Sequence, residues 1–351
     1  MLAARWHGRR DVRVEEVAPP GAPGAGEAQV RVRWCGICGS DLHEYVAGPI
    51  LISPAGRPHP LTGREPPLTL GHELVGTVVA VGPGVEAVRP GDRVTADACL
   101  RCGTCPWCQR GQYNLCKRLG SVGLAADGGF AALLNLPAYT LYALPDGIAD
   151  EAAALCEPFA VALHAVKRGG VQPGHVVAVV GAGPIGLCVL QAARAAGAAA
   201  AYAVEPLAAR RERALALGAT AAFDAGTARG EVYARTGGLG ADVAIECVGH
   251  PESLPLALEL AGRGGTAVVA GIFEQPSALH ANRLVLHEKR LVGSIAYAGE
   301  FPAVMALLAD GRLRAEPLVT DRIALREIVA AGFEALLAER ERHVKVLVAP
   351  E

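Results

Sequence analysis

Four cysteines stand close together as Cys102-x2-Cys105-x2-Cys108-x7-Cys116. Four thiolates at this spacing close a tetrahedron around Zn²⁺ and leave no position for a substrate, so the site reads as structural. Structural zinc is worth about 10–16 kcal/mol in small peptides, enough to pin a loop with little core of its own. An iron–sulfur cluster is the competing reading of four thiols. Cys99 lies one CxxC step upstream, but a register begun there needs a thiol at position 113, which is Tyr113. Three other places carry reactive side chains: Cys35-Gly36-Ile37-Cys38-Gly39-Ser40-Asp41-Leu42-His43, Gly71-His72-Glu73 and Leu155-Cys156-Glu157-Pro158. Taken singly, each is as well explained by core packing. Together they offer thiolate, imidazole and carboxylate, a donor set that suits Zn²⁺ with one open position.

A second chemistry is written in VVAVVGAGPIG at 176–186. A buried strand runs directly into Gly181-x-Gly183-Pro184-Ile185-Gly186, and a helix follows. The first glycine permits the tight turn, the second lets backbone approach a pyrophosphate, and the third lets helix and strand pack closely. The helix N-terminus then presents free N–H groups to phosphate. Glu205 closes the next strand, where an acidic residue accepts the adenosine ribose hydroxyls. A 2′-phosphate beside that carboxylate would be repelled, which favours NAD over NADP. Arg210 and Arg211 follow closely and soften the preference; each reads equally well as part of a solvated helix face, and Arg210 also as a lid on the adenine.

Two textures position these groups. Residues 1–150 carry short Val-rich runs (29–34, 74–82, 93–97) broken by Gly/Pro turns, the pattern of a β-rich barrel or sandwich. From about residue 152, buried strands at 176–180, 201–205, 221–224, 242–247, 266–270 and 290–295 alternate with helices at 185–196, 207–217, 228–236 and 253–261. That alternation predicts a doubly wound parallel sheet. Ligands sit at the carboxyl ends of such strands, so the loops Cys247-Val248-Gly249, Gly271-Ile272-Phe273 and Ile295-Ala296-Tyr297 are expected to line a nicotinamide pocket; ordinary sheet packing is the plainer alternative. Helices at 302–310 and 324–340 and a strand at 343–350 follow, and periodicity does not decide which sheet that last strand joins.

The 351 residues suggest two domains. With 51% apolar residues, 19% charged and a net charge of −2, the chain is neither disordered nor suited to nucleic acid or an anionic membrane. The longest apolar run is too short and too glycine-rich to span a bilayer. The N-terminus lacks the apolar core of an export signal, so a cytoplasmic location is expected, with thiols free or metal-bound.

The spacing GHEx2Gx5G at 71–82, the four-cysteine lobe, GDRV at 91–94 and the GAGPIG turn together resemble the zinc-containing medium-chain alcohol/polyol dehydrogenases. Within that family, SDLHEYVAGPI (40–50), HPLTG (59–63) and KRLVGSIAYAGEF (289–301) look most like the 2,3-butanediol dehydrogenases, which interconvert acetoin and butanediol. The resemblance implies a GroES-like catalytic domain of residues 1–156 and 296–351, with its zinc lobe at 97–118, around a Rossmann NAD-binding domain at 157–295. It implies one catalytic and one structural Zn²⁺. Cys38 and His72 match the first two catalytic ligands. Glu157 of the Glu-Pro pair matches the third in polyol-type members, whereas Cys156 holds the position used in simple alcohol dehydrogenases. Glu73 is then a neighbour of the metal or an alternating ligand. Ser40 and His43 match a proton relay that runs through the nicotinamide ribose. A homodimer or homotetramer is implied. Sorbitol-type polyols and L-threonine are the alternative substrates, and a non-catalytic zinc and nucleotide binder is the alternative of another class.

Overall fold

In the computed structural model, which describes residues 1–350, the chain forms two compact units. One comprises Met1–Glu157, Phe301–Ala309 and the residues from Ala315 on; the other comprises Pro158–Glu300 and Asp310–Arg314. The sequence reading divides the chain after 156 and after 295 and does not foresee the return of residues 310–314.

The first unit is built on the strand Glu27–Gly36. Ala28, Val30 and Val32 are buried while Arg31 and Arg33 face water, the period-two pattern of a half-buried strand. It pairs antiparallel with Glu73–Val81, with a register shift between Val32 and Trp34, after which Cys35 faces Leu74 and Gly36 faces Glu73. Gly76 is required opposite this strand, since a Cβ there would stand 2.2 Å from the Arg31 carbonyl oxygen. The same register brings Cys38 and His72 to one end of the sheet. The closing strand Lys345–Ala349 pairs antiparallel with Glu27–Gly36 and parallel with Val319–Ala324, so the chain end returns to this sheet. The strands Leu2–Gly8, Asp11–Glu16 and Leu68–Thr69 form a separate sheet that periodicity does not reveal.

The helix expected at 324–340 is a correction. A 3₁₀ turn at Leu325–Glu327 leads into a π-helical segment, Ile328–Glu334, and only Ala335–Ala338 is α-helical. Packing decides this: Gly332 lies against Ile37, where a Cβ would approach the Ile37 side chain to 2.6 Å. Phe333 stacks on Tyr45 at 5.1 Å, and the Tyr45 hydroxyl donates to Glu334 at 2.6 Å. These contacts buttress the helix Gly39–Ala47, which carries Ser40, Asp41 and His43.

The second unit is a six-stranded parallel sheet. Its strands run in the order Ala221–Phe223, Ala200–Val204, Val176–Val180, Ala241–Glu246, Ala261–Val269, Arg290–Gly293. Order reverses beside Val176–Val180, the topological switch point of a Rossmann sheet. The four expected helices form at Pro184–Ala195, Ala208–Ala216, Ala225–Arg235 and Ser253–Leu260.

Candidate active site and metal centres

The sulfur atoms of Cys102, Cys105, Cys108 and Cys116 all lie within 4.8 Å of one another. Cys105–Cys108 and Cys116–Cys102 sulfurs are 3.5 Å apart, and Cys102–Cys108 sulfurs 3.9 Å. A tetrahedral zinc with Zn–S of about 2.3 Å needs sulfurs ~3.8 Å apart, so the residues fit that ion. Backbone N–H groups converge on the sulfurs: Cys105 donates to Cys102 Sγ, and Cys102 and Arg118 donate to Cys116 Sγ, each at 3.4 Å. The backbone donors of Thr104 and Cys105 bring the Cys102 thiol down to about 5, poised for the thiolate form. Arg101 docks the lobe. Its guanidinium lies 3.9 Å from the Tyr113 ring centre and 4.4 Å from that of Tyr139, and it pairs with buried Asp97 at 3.1 Å. Cys99 is buried outside this cluster.

The second cluster is assembled by the helix Gly39–Ala47 and the strand register described above. Cys38 caps the helix; its backbone N–H donates to Asp41 Oδ2 at 3.0 Å. The other Asp41 oxygen stands 3.6 Å from His72 Nδ1, and both atoms are buried without a hydrogen-bond partner. A cation on Nε2 would place the ring proton on Nδ1, facing Asp41, the arrangement that orients metal-bound imidazoles. Ser40 Oγ lies 3.1 Å from His72 Nε2. Burial opposes a charged His72, but Asp41, then the Cys38 thiol hydrogen-bonded to it and the charge of Glu157, hold it well above the usual range. Cys38 and Glu157 thus act on this imidazole, and thiol, imidazole and carboxylate are donors that suit Zn²⁺, while among the described residues the four cysteines of the lobe are the group whose ligand atoms already stand within 4.8 Å of one another. Cys156 is fully buried, and burial alone pushes its thiol up to about 12. Cys35 is likewise enclosed, its sulfur against Gly71 and Gly129. Glu73 is fully buried and both its carboxylate oxygens lie 2.6 Å from Lys345 Nζ. His43 is half-buried, one helical turn beyond Ser40.

Sequence reasoning overlooks Asp41, Glu44 and Lys345. Asp41 is signalled by its place three residues after the helix cap, where a carboxylate reaches back to the cap N–H. Glu44 is buried and gathers the N–H groups of Ile50, Leu51 and Ile52. Lys345 is signalled by a charge at the head of an otherwise apolar strand, Lys345–Ala349.

In the second unit Gly181 adopts φ +94, Gly183 caps the helix Pro184–Ala195, and Ile185 follows Pro184 in its first turn. A Cβ on Gly186 would stand 1.8 Å from the Gly181 carbonyl oxygen, which enforces the close helix–strand approach. Glu205 is buried; its oxygens accept from Ala182 N at 2.9 Å and Leu207 N at 3.1 Å, and Arg210 lies 3.9 Å away. The loops after the strands pack on each other: Gly249 is pressed against Ile272 O, and Gly271 against Gly249 N, with Phe273 next in chain. Cys247 donates its N–H to Val180 O. Val248 and Ile295 are about half exposed, Ala296 has φ +47, and Tyr297 is buried.

Residues 24–146 match the alcohol dehydrogenase GroES-like domain and residues 184–310 the zinc-binding dehydrogenase domain. The chain belongs to the zinc-dependent alcohol dehydrogenase family. It is 42% identical to the (R,R)-butanediol dehydrogenase of Bacillus subtilis (strain 168), over 100% of both chains. A crystal structure of 2R,3R-butanediol dehydrogenase from Bacillus subtilis superposes with a TM-score of 0.93, covering 100% of this chain and 99% of that one. An alcohol dehydrogenase of Escherichia coli CFT073 complexed with NADH (30% identity, TM-score 0.89) and a zinc-binding dehydrogenase of Sinorhizobium meliloti 1021 bound to NADP (34%, 0.88) each cover 99% of both chains. The fold is a GroES-like β domain with a Rossmann domain, and the protein is an oxidoreductase of that family. Among the described residues no helix is long and apolar enough to cross a membrane.

Proposed function

We propose that this chain interconverts a secondary alcohol or vicinal diol and its ketone with NAD(H), and that 2,3-butanediol and acetoin are its substrate pair. The observation that carries this reading is buried His72, with Asp41 facing one ring nitrogen at 3.6 Å, Ser40 3.1 Å from the other and the charge of Glu157 acting on it, in a chain whose full-length relative is a butanediol dehydrogenase. Cys38, His72 and Glu157 would hold the catalytic zinc, and Cys102, Cys105, Cys108 and Cys116 the structural one. When bound, zinc supplies Lewis acidity to the substrate oxygen and the nicotinamide ring supplies the hydride acceptor.

The chain's own residues do the rest. Asp41 fixes the tautomer and orientation of His72. The Ser40 hydroxyl, beside His72 Nε2, takes up the alcohol's proton as it hands its own proton on, and orients the reacting oxygen. His43, half-buried one helical turn on, is the next group to receive the proton. Gly181, Gly183 and the helix N-terminus seat the pyrophosphate, and Glu205 takes the adenosine ribose, its two oxygens retaining acceptor capacity beyond the two backbone N–H groups they hold. The carboxylate disfavours a 2′-phosphate, which supports NAD over NADP despite Arg210.

The sheet edge Arg290–Gly293 pairs on one side only, and Val285, Leu286 and Leu291 beside it are exposed at 71%, 70% and 36%. Unpaired edges flanked by apolar side chains invite a second strand, which supports a homo-oligomer.

Steady-state assays of butanediol, acetoin, sorbitol and L-threonine with NAD and NADP test the reading. The highest kcat/KM is expected for the butanediol–acetoin pair with NAD, and two zinc ions per chain by elemental analysis. Preference for sorbitol or threonine transfers the substrate assignment; bound zinc and NAD with no turnover of any alcohol overturns catalysis.

A further inference from the structure

Lys345 is 2% exposed, in the interior of the first unit. Its ammonium has three N–H donors and meets three acceptors: Glu73 Oε1 and Oε2 at 2.6 Å and the Ile37 carbonyl at 2.9 Å. Ile37 immediately precedes Cys38, and Glu73 immediately follows His72. One side chain on the closing strand thus joins the two segments that carry these residues. The sheet register aligns those segments, but at Gly36 and Glu73 its pairing ends. Cys38 and His72 lie beyond the last backbone pair, where Lys345 supplies the next link.

We propose that Lys345 is a positioning residue that sets the separation of Cys38 and His72, and so the hold on the metal between them. The inference rests on the assignment of Cys38, His72 and Glu157 as zinc ligands. It also gives Glu73 a role: with both oxygens on Lys345, the carboxylate is an anchor for its strand. Partners that orient metal ligands typically contribute about 10–100-fold to metal affinity.

The test is the rate of zinc release from holoenzyme to a chromogenic chelator, with melting temperature and activity measured in parallel. Lys345→Met alone leaves Glu73 buried and unpaired, which threatens folding. Lys345→Met/Glu73→Leu removes both charges and keeps the interior apolar, a change that buried pairs often tolerate. In the double variant one zinc is expected to leave about 10–100-fold faster than in the wild type, while the zinc of the four-cysteine lobe keeps its rate. Activity lost during release should return on adding zinc, which a general loss of folding would not allow. A double variant that folds and releases both ions at wild-type rates overturns the inference and leaves the ligand assignment standing. A wild type with one zinc, lost on Cys105→Ser, overturns the assignment and the inference with it.

Discussion

At the scale of single residues, chemistry is decided by what burial leaves unpaired. Asp41 Oδ1 and His72 Nδ1 face each other at 3.6 Å without a hydrogen bond, an expensive arrangement unless a ligand on the other ring nitrogen fixes the proton between them. Glu157 adds its charge to that imidazole, whereas Cys156 is enclosed and its thiol held protonated by burial. Glu157→Ala is therefore expected to lower kcat/KM by about a hundredfold or more, and Cys156→Ala by less than tenfold, checked by steady-state kinetics alongside zinc content. Glu300 is a buried charge held by His164, Lys167 and the Ala298 N–H. Burial works against its carboxylate, but His164, Lys167 and the Ala298 N–H bring it down to about 2, from an ordinary 4.5. A depressed carboxylate stabilises the fold above its unfolded value and loses that contribution as pH falls towards the folded value. Glu300→Gln should cost a few kcal/mol, on the order of the linkage expected for such a shift, at neutral pH. In denaturant titrations the gap to wild type should shrink between about pH 4.5 and pH 2; a gap that stays constant would assign the loss to packing.

At the scale of elements, the helix Gly39–Ala47 is the part on which the site depends. Its cap is Cys38, its first turn carries Ser40 and Asp41, and its end is tied by Glu44 and by Tyr45 against Phe333. The zinc lobe is the opposite case: it has few buried apolar side chains, and its sulfurs and Arg101 take their place. Cys105→Ser should release one zinc per chain and lower the melting temperature by several degrees or more, because structural zinc binding is folding free energy. Arg101→Ala should lower it less and leave the zinc count unchanged, measured by differential scanning fluorimetry and elemental analysis.

At the scale of the whole molecule, the sheet edge Arg290–Gly293 is where the proposed homo-oligomer would form. Val285→Glu/Leu286→Glu should shift the mass measured by light scattering towards that of one 36.1 kDa chain, with the zinc content kept. An unchanged mass would move the interface elsewhere.

The sequence by itself carried everything that depends on local spacing. The four-cysteine lobe, the glycine turn with Glu205, and the alternating strands and helices of the second unit were all legible, because each is a short-range pattern of one residue type or one period. The loss of α geometry between 325 and 334 was not, since it follows from Gly332 meeting Ile37 and Phe333 meeting Tyr45, residues distant in the chain. Nor was the bond of Lys345 to Glu73 and Ile37, which joins the last strand to the strand Glu73–Val81 and to the residue that follows the strand Glu27–Gly36. Tertiary structure alone decided which oxygen faces which nitrogen around His72, because register and packing fix distances that spacing in the chain leaves free.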